Sequence, residues 1–230
     1  MGQVLERLPA GLVWQGARLA DARGATLHTG FAELDAELPG GGWPAGALIE
    51  LLAEHPGVGE ISLLLPLMQR TPPERWIAWI APPLLPYAPA LAAAGVPLER
   101  LLLIQPATAD EVLWATRQAA AGGSCALVLA WPARLDTAAL RRLQLAAEES
   151  ATPLFLFRAP SAARHASPAA LRLQLSPTAN GLRIDILKRR GPPAAHPVHL
   201  ALHNGSLQES PQERPAAPVP APPPRLTLVG

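Results

Sequence analysis

The sequence predicts an α/β fold, with a mostly parallel sheet flanked by helices and an antiparallel extension at one edge. Three observations carry that expectation. From about residue 27 to residue 157, short apolar runs alternate with longer amphipathic ones, and strand–helix alternation implies a parallel sheet covered by helices. One run, Cys125–Trp131, is apolar without interruption, which suits a strand buried on both faces. After residue 157 the strands follow one another without long helices, as at an antiparallel edge.

Taken in order, residues 1–25 read as a short arm. Val4, Leu5, Leu8 and Leu12 lie near helical spacing, but Pro9 and Gly11 cut the pattern short. Ala47–Leu52 is a predicted strand, and Glu60–Arg70 a helix kinked at Pro66. Strand Arg75–Ala81, helix Tyr87–Ala94 ending at Gly95, and strand Leu101–Gln105 follow. Thr108-Ala-Asp-Glu111 has the capping-box pattern and opens a helix running to Gly122. Asp136 caps the next helix, whose Leu140, Leu143 and Ala147 share one face. Thr152–Phe157, Leu171–Leu175, Leu182–Lys188 and Val198–Leu202 are the remaining strands. Beyond Asn204 the composition turns to Pro, Ala, Gln and Glu, with seven prolines from Pro211 to Pro224. Such a segment buries too little surface to fold alone and is expected to be disordered or PPII-like. The expected organisation is an arm at 1–25, one α/β domain at 26–203 and a Pro-rich tail at 204–230.

Composition narrows the function classes. The chain has 230 residues, 49% hydrophobic and 16% charged, with formal net charge +1. That suffices for one sizeable core, and no overall basic field draws the protein onto nucleic acid. Cys125 is the single cysteine and sits in an apolar run, so no disulfide forms within the chain. No apolar signal region follows Glu6 and Arg7, and no run approaches the roughly 18 apolar residues of a membrane span, so a cytoplasmic protein is expected.

The strand Ala47–Leu52, a Gly-containing loop and a helix make the setting of a phosphate-binding P-loop. The loop reads Ala53-Glu-His-Pro-Gly-Val-Gly59-Glu60-Ile61-Ser62. Gly59 stands where the second glycine of that motif belongs, with Gly57 two residues before it. Glu60 replaces the lysine, Ile61 replaces the hydroxyl that binds magnesium, and Ser62 falls one position late. Exchanging attraction for repulsion about 4 Å from a phosphate changes each pair by roughly 4 kcal/mol in each sense at an effective dielectric near 20. The strand Leu127–Ala130 runs into Trp131 and Pro132, where a magnesium carboxylate would be needed. Either this is a degenerate P-loop or it is only a turn rich in glycine. In both cases no nucleotide, metal or other cofactor and no catalysis are expected.

The stretch Thr29-Gly-Phe-Ala-Glu-Leu-Asp35 with the Gly-rich turn Gly40-Gly-Gly42 and Gly46-Ala-Leu-Ile-Glu50 resembles the opening of the RecA ATPase core. Leu101–Pro106 with Thr108–Ala121 is similar to a later RecA strand and helix, and Ile186-Leu-Lys188-Arg-Arg190 to its late hairpin with two basic residues. The losses (no P-loop lysine, no magnesium aspartate, and Pro82-Pro83 where a catalytic carboxylate stands in RecA) resemble the RecA-related group that includes ImuA and the SulA division inhibitors. Gly57-Val-Gly-Glu60 and Ile80-Ala-Pro-Pro83 before Tyr87-Ala-Pro89 look like that group, and the opening segment and late hairpin favour ImuA. The resemblance implies a RecA-like core and a non-catalytic scaffold of SOS-induced translesion DNA synthesis. Its implied partners are an ImuB-like Y-family polymerase homologue, an error-prone replicative-type polymerase and RecA. The alternative is a SulA-type inhibitor of cell division that binds a tubulin-like GTPase. A residual nucleotide-dependent enzyme is the third reading, and the loop chemistry argues against it.

Candidate DNA or partner contacts are Arg158, Arg164, His165 and Arg172, which follow a strand end, and Lys188, Arg189 and Arg190, the densest cationic cluster. The alternative for each is an ordinary solvated loop or hairpin tip. Trp76, Trp79, Trp114 and Trp131 are expected in the core. Trp14 and Trp43, in the less regular N-terminal part, are interface-anchor candidates. His196, His199 and His203 alternate along a strand without the spacing of a zinc motif.

Overall fold

The computed structural model describes residues 25–202. The arm, apart from residue 25, and the tail, with Trp14 and His203, lie outside the described residues.

Its elements run β1 (Thr26–Leu27), α1 (Ala32–Glu37), β2 (Trp43–Pro44), β3 (Leu48–Leu52), α2 (Glu60–Gln69), β4 (Trp76–Ile80), α3 (Ala88–Ala93), β5 (Leu101–Ile104), α4 (Ala109–Ala121), β6 (Cys125–Ala130), α5 (Thr137–Ser150), β7 (Leu154–Arg158), β8 (Leu171–Thr178), β9 (Gly181–Lys188) and β10 (Val198–Ala201). Short 3-10 turns precede β5 and follow β7. β1 and β2 pair as a small antiparallel ribbon. The other strands form one sheet in the order β10-β9-β8-β3-β7-β6-β4-β5. β8 through β5 in that order are parallel, and β9 and β10 add antiparallel pairs at one edge.

The fold is therefore mixed α/β with a mostly parallel sheet between helices. The strands alternate their side chains between two cores. Ile49, Leu51, Ile77, Trp79 and Phe155 face α2 and α3, while Leu48, Ala78, Ile80, Val128 and Leu154 face α4 and α5. β3 to β5 run across the sheet one way with their helices on the first face. β6 and β7 run back the other way with helices on the second face. Changing direction and face together keeps one hand through these crossovers, as the right-handed rule for parallel strands expects.

Local signals place the helices. Thr108 accepts from the Glu111 amide while the Glu111 carboxylate accepts from the Thr108 amide, closing the capping box. Asp136 accepts from the Ala139 amide at the head of α5. Pro66 lies inside α2. Burial pushes the Cys125 thiol up from its ordinary range.

Two tryptophans depart from expectation. Trp43 is fully buried, edge-on to Phe155 with centroids 5.2 Å apart, because the Gly40–Gly42 turn folds the ribbon onto the first core. It is therefore not an exposed interface anchor. Trp114, expected in the core, is 64% exposed. α4 buries Val112, Ala115, Thr116 and Ala120, which put residue 114 on the opposite side of the helix. Among the described residues, no helix is long and apolar enough to cross a membrane.

Candidate functional site

The loop after β3 turns through Gly57 and Gly59, whose φ angles of +89° and +111° are left-handed. A Cβ on Gly59 would also come within 2.7 Å of Leu202 Cδ1. Gly59 caps α2, and Glu60 is the first residue of that helix. Its carboxylate folds back over the loop. The Gly57 amide donates to Oε1 at 2.7 Å and the Gly59 amide to Oε2 at 3.1 Å. Glu60 is only 5% exposed. The amides that a P-loop would turn toward phosphate are thus held by an anion of the protein itself. The bonds are charge-assisted, and the positive end of the α2 dipole favours the same charge. An arriving phosphate would have to displace a tethered carboxylate and then remain beside it. Ile61 and Ser62 follow, both half-buried, with Ile61 packed on the first core.

Around this loop, neighbouring strands send their connections in opposite directions at two places, β3 beside β7 and β4 beside β6. Crevices at such points, outside the carboxyl ends of the strands, are the usual ligand sites of open α/β sheets. Here the crevice is largely apolar on its Pro82–Tyr87 side, while Glu54, His55 and Arg158 lie in the lining of its other part. A cleft of about 230 Å³ lies between Pro56, Gly57, Glu60 and Ile61 on one side and the Pro82–Tyr87 loop on the other. A second hollow of about 270 Å³ adjoins it and shares Pro56, Glu60, Pro83 and Trp131. Four aromatic residues, Trp79, Tyr87, Trp131 and Phe157, line these hollows. Trp131 stacks on Phe157 at 4.2 Å with planes 5° apart, and Trp79 packs against Trp131 at 5.7 Å. At the end of β6 the chain thus presents a stacked ring and no carboxylate. Leu84, Leu85 and Tyr87, on the outer wall, are 70%, 71% and 68% exposed. Ala81 holds φ +53°, left-handed for a non-glycine residue, where the chain leaves β4 for this loop.

The basic candidates divide. Arg158 and Arg172, expected as contact residues, both turn inward onto Glu50, which is fully buried in β3. Arg158 Nη1 meets Glu50 Oε1 at 2.5 Å, and Arg172 Nε meets Oε2. Arg172 also donates to the carbonyls of Ala162 and His165, at 2.7 and 3.1 Å, so it ties the loop after β7 to the sheet. Arg189 is likewise engaged: it pairs with Glu37 of α1 at 2.9 Å and donates to the Pro192 carbonyl at 2.7 Å.

Arg164, His165 and Arg190 remain exposed, and Lys188 joins the two segments by donating to the Ser167 carbonyl at 2.8 Å. Burial, with Arg172 and Arg190 nearby, pushes the Lys188 ammonium below the ordinary lysine range, against the pull of Glu50. Sequence reasoning missed Glu50, whose partners are far away in the chain, and the exposed Leu84–Tyr87 wall, of which only Tyr87 was read, as the start of a helix.

Fold and site together define a mixed α/β protein whose phosphate-type loop is closed by its own side chain and opens onto an apolar cleft. Comparison with known proteins supplies a relationship. The family model described as cell division inhibitor SulA matches residues 47–153. A cell division inhibitor SulA from Edwardsiella piscicida is 37% identical over 90 residues, which cover 38% of this chain and 54% of that relative. The chain therefore spans about half the length of that relative. The crystal structure of SulA from Pseudomonas aeruginosa aligns at 27% identity with a TM-score of 0.40, over 50% of this chain and 99% of that one. The chain is SulA-related over residues 47–153, and the comparisons do not extend to ImuA specifically. The matched segment carries the Glu60 loop, the cleft loop Pro82–Tyr87 and Trp131.

Proposed function

We propose that this chain is a non-catalytic binding protein of the SOS response, a division inhibitor of the SulA type that holds a tubulin-like GTPase at the apolar cleft. The observation that carries the reading is the carboxyl edge of the sheet. Its loop amides are taken by Glu60, and its crevice is lined by Trp79, Trp131 and Ile61 with Leu84, Leu85 and Tyr87 exposed beside it. An exposed apolar wall beside a crevice suits a protein surface better than a charged nucleotide. The SulA relationship covers these residues and supports the choice of partner.

The test is a pull-down of the GTPase by the full chain, together with cell length on overexpression. Leu84→Ser with Leu85→Ser and Tyr87→Ala is expected to abolish both binding and filamentation. Because all three side chains are exposed, stability should change by no more than about 0.5 kcal/mol per site. A wild-type chain that neither binds the GTPase nor lengthens cells sinks this reading.

A second reading keeps the RecA-like core and the ImuA-type scaffold, with the ImuB-like homologue, the error-prone polymerase and RecA as partners. It is favoured by what lies outside the matched segment. Residues 26–44 close one core, and β8 to β10 complete the sheet. Arg164, His165, Lys188 and Arg190 would then meet an acidic partner surface or DNA phosphates. Saturable capture of the ImuB-like protein by a chain that leaves the GTPase unbound would select it.

A further inference from the structure

We infer that Glu60 is a positioning residue for the cleft. It acts as a built-in anion that keeps the Pro56–Gly59 loop in the shape of an occupied phosphate loop, so the cleft wall is formed without any ligand. The inference rests on the proposed docking role of the cleft, and it adds what sets its geometry.

Three features lead to it. The two bonds from Glu60 go to the loop's own amides rather than to solvent or to a cation, and the side chain is buried. Gly57 and Gly59 hold left-handed backbone that no neighbouring strand pairs. A Cβ added at Gly57 would meet open space, so no neighbouring side chain presses on that side of the loop. Pro56, Gly57 and Glu60 line the cleft together. Loss of the carboxylate leaves the wall without the bonds that hold it, while the strands below keep theirs.

The first measurement is amide hydrogen exchange on the full chain, comparing wild type with Glu60→Ala and Glu60→Gln. In Glu60→Ala the Gly57 and Gly59 amides should exchange at least about tenfold faster, because two charge-assisted bonds are lost. The amides of β3 and β6 should keep their rates. Glutamine has one carbonyl oxygen in place of two acceptors, so Glu60→Gln should protect one of the two glycines and release the other. A merely structural role would instead raise exchange throughout the sheet or leave both variants alike.

The second measurement is affinity for the tubulin-like GTPase. It should fall about tenfold in Glu60→Ala and recover in part in Glu60→Gln. Unchanged exchange at Gly57 and Gly59 overturns the positioning role. Accelerated exchange with undiminished binding overturns its link to the cleft. A wild-type chain that does not bind defeats the docking reading instead, and the exchange data still decide what Glu60 does to the loop.

Discussion

Two carboxylates ten residues apart, Glu50 in the middle of β3 and Glu60 at the head of α2, are both buried and are satisfied in opposite ways. Glu60 is held by backbone amides one and three residues away. Glu50 is held by two arginines 108 and 122 residues away, on the strands flanking β3 on either side. The local arrangement forms as soon as the loop and the first helical turn form. The distant one exists only when β7 and β8 have both closed on β3. A carboxylate served by its own turn can shape a surface loop, whereas one served across the sheet locks strand neighbours.

The sharpest way to break that comparison is Glu50→Ala. It leaves two inward-facing guanidinium groups without their anion, and unfolding stability should drop by about 3–5 kcal/mol. Exchanging all three charged residues together for Leu and Met of similar volume should recover most of that loss, because the desolvation cost of the ions vanishes with them. Urea unfolding reads both. If the triple exchange is as unstable as Glu50→Ala, the cluster specifies the strand neighbours as well as neutralising its own charge. Glu60→Ala should cost less in the same assay, about 1–3 kcal/mol, because the freed Gly57 amide lies at the surface, where water can replace the carboxylate. A loss as large as that at Glu50 would mean that the loop supports the sheet. The smallest effect is expected at Thr108→Ala, about 1 kcal/mol, where an exposed capping box is opened and nothing else is touched. It calibrates what one local polar contact contributes in this chain.

Much of the fold was legible in the sequence because the deciding contacts are local. The strand–helix rhythm, the caps at Thr108 and Asp136 and the apolar run of β6 each depend on neighbours within a few residues. The charge reversal at residue 60 was legible in the same way. It was read as an obstacle to phosphate, and in the structure its carboxylate accepts from the Gly57 and Gly59 amides. Trp114 was misplaced because a helix with so many alanines carries too weak a periodicity to say which way a single aromatic points. Trp43 was misplaced because the turn that buries it acts through tertiary packing.

The candidate site was legible only in part, for a related reason. Arg158 and Arg172 look like free cations in a loop until Glu50 is found between their strands. Lys188 and Ser167 meet across 21 residues that no pattern connects. By itself, the sequence determined the class of fold, the ends of α4 and α5 and the acidic character of the loop after β3, since each follows from the character of residues near one another in the chain. Tertiary structure alone decided which charges are spent inside, which apolar residues stand exposed and that these border an apolar cleft. Those outcomes depend on which strands become neighbours, and strand order is set by the packing of the whole sheet between its two layers of helices.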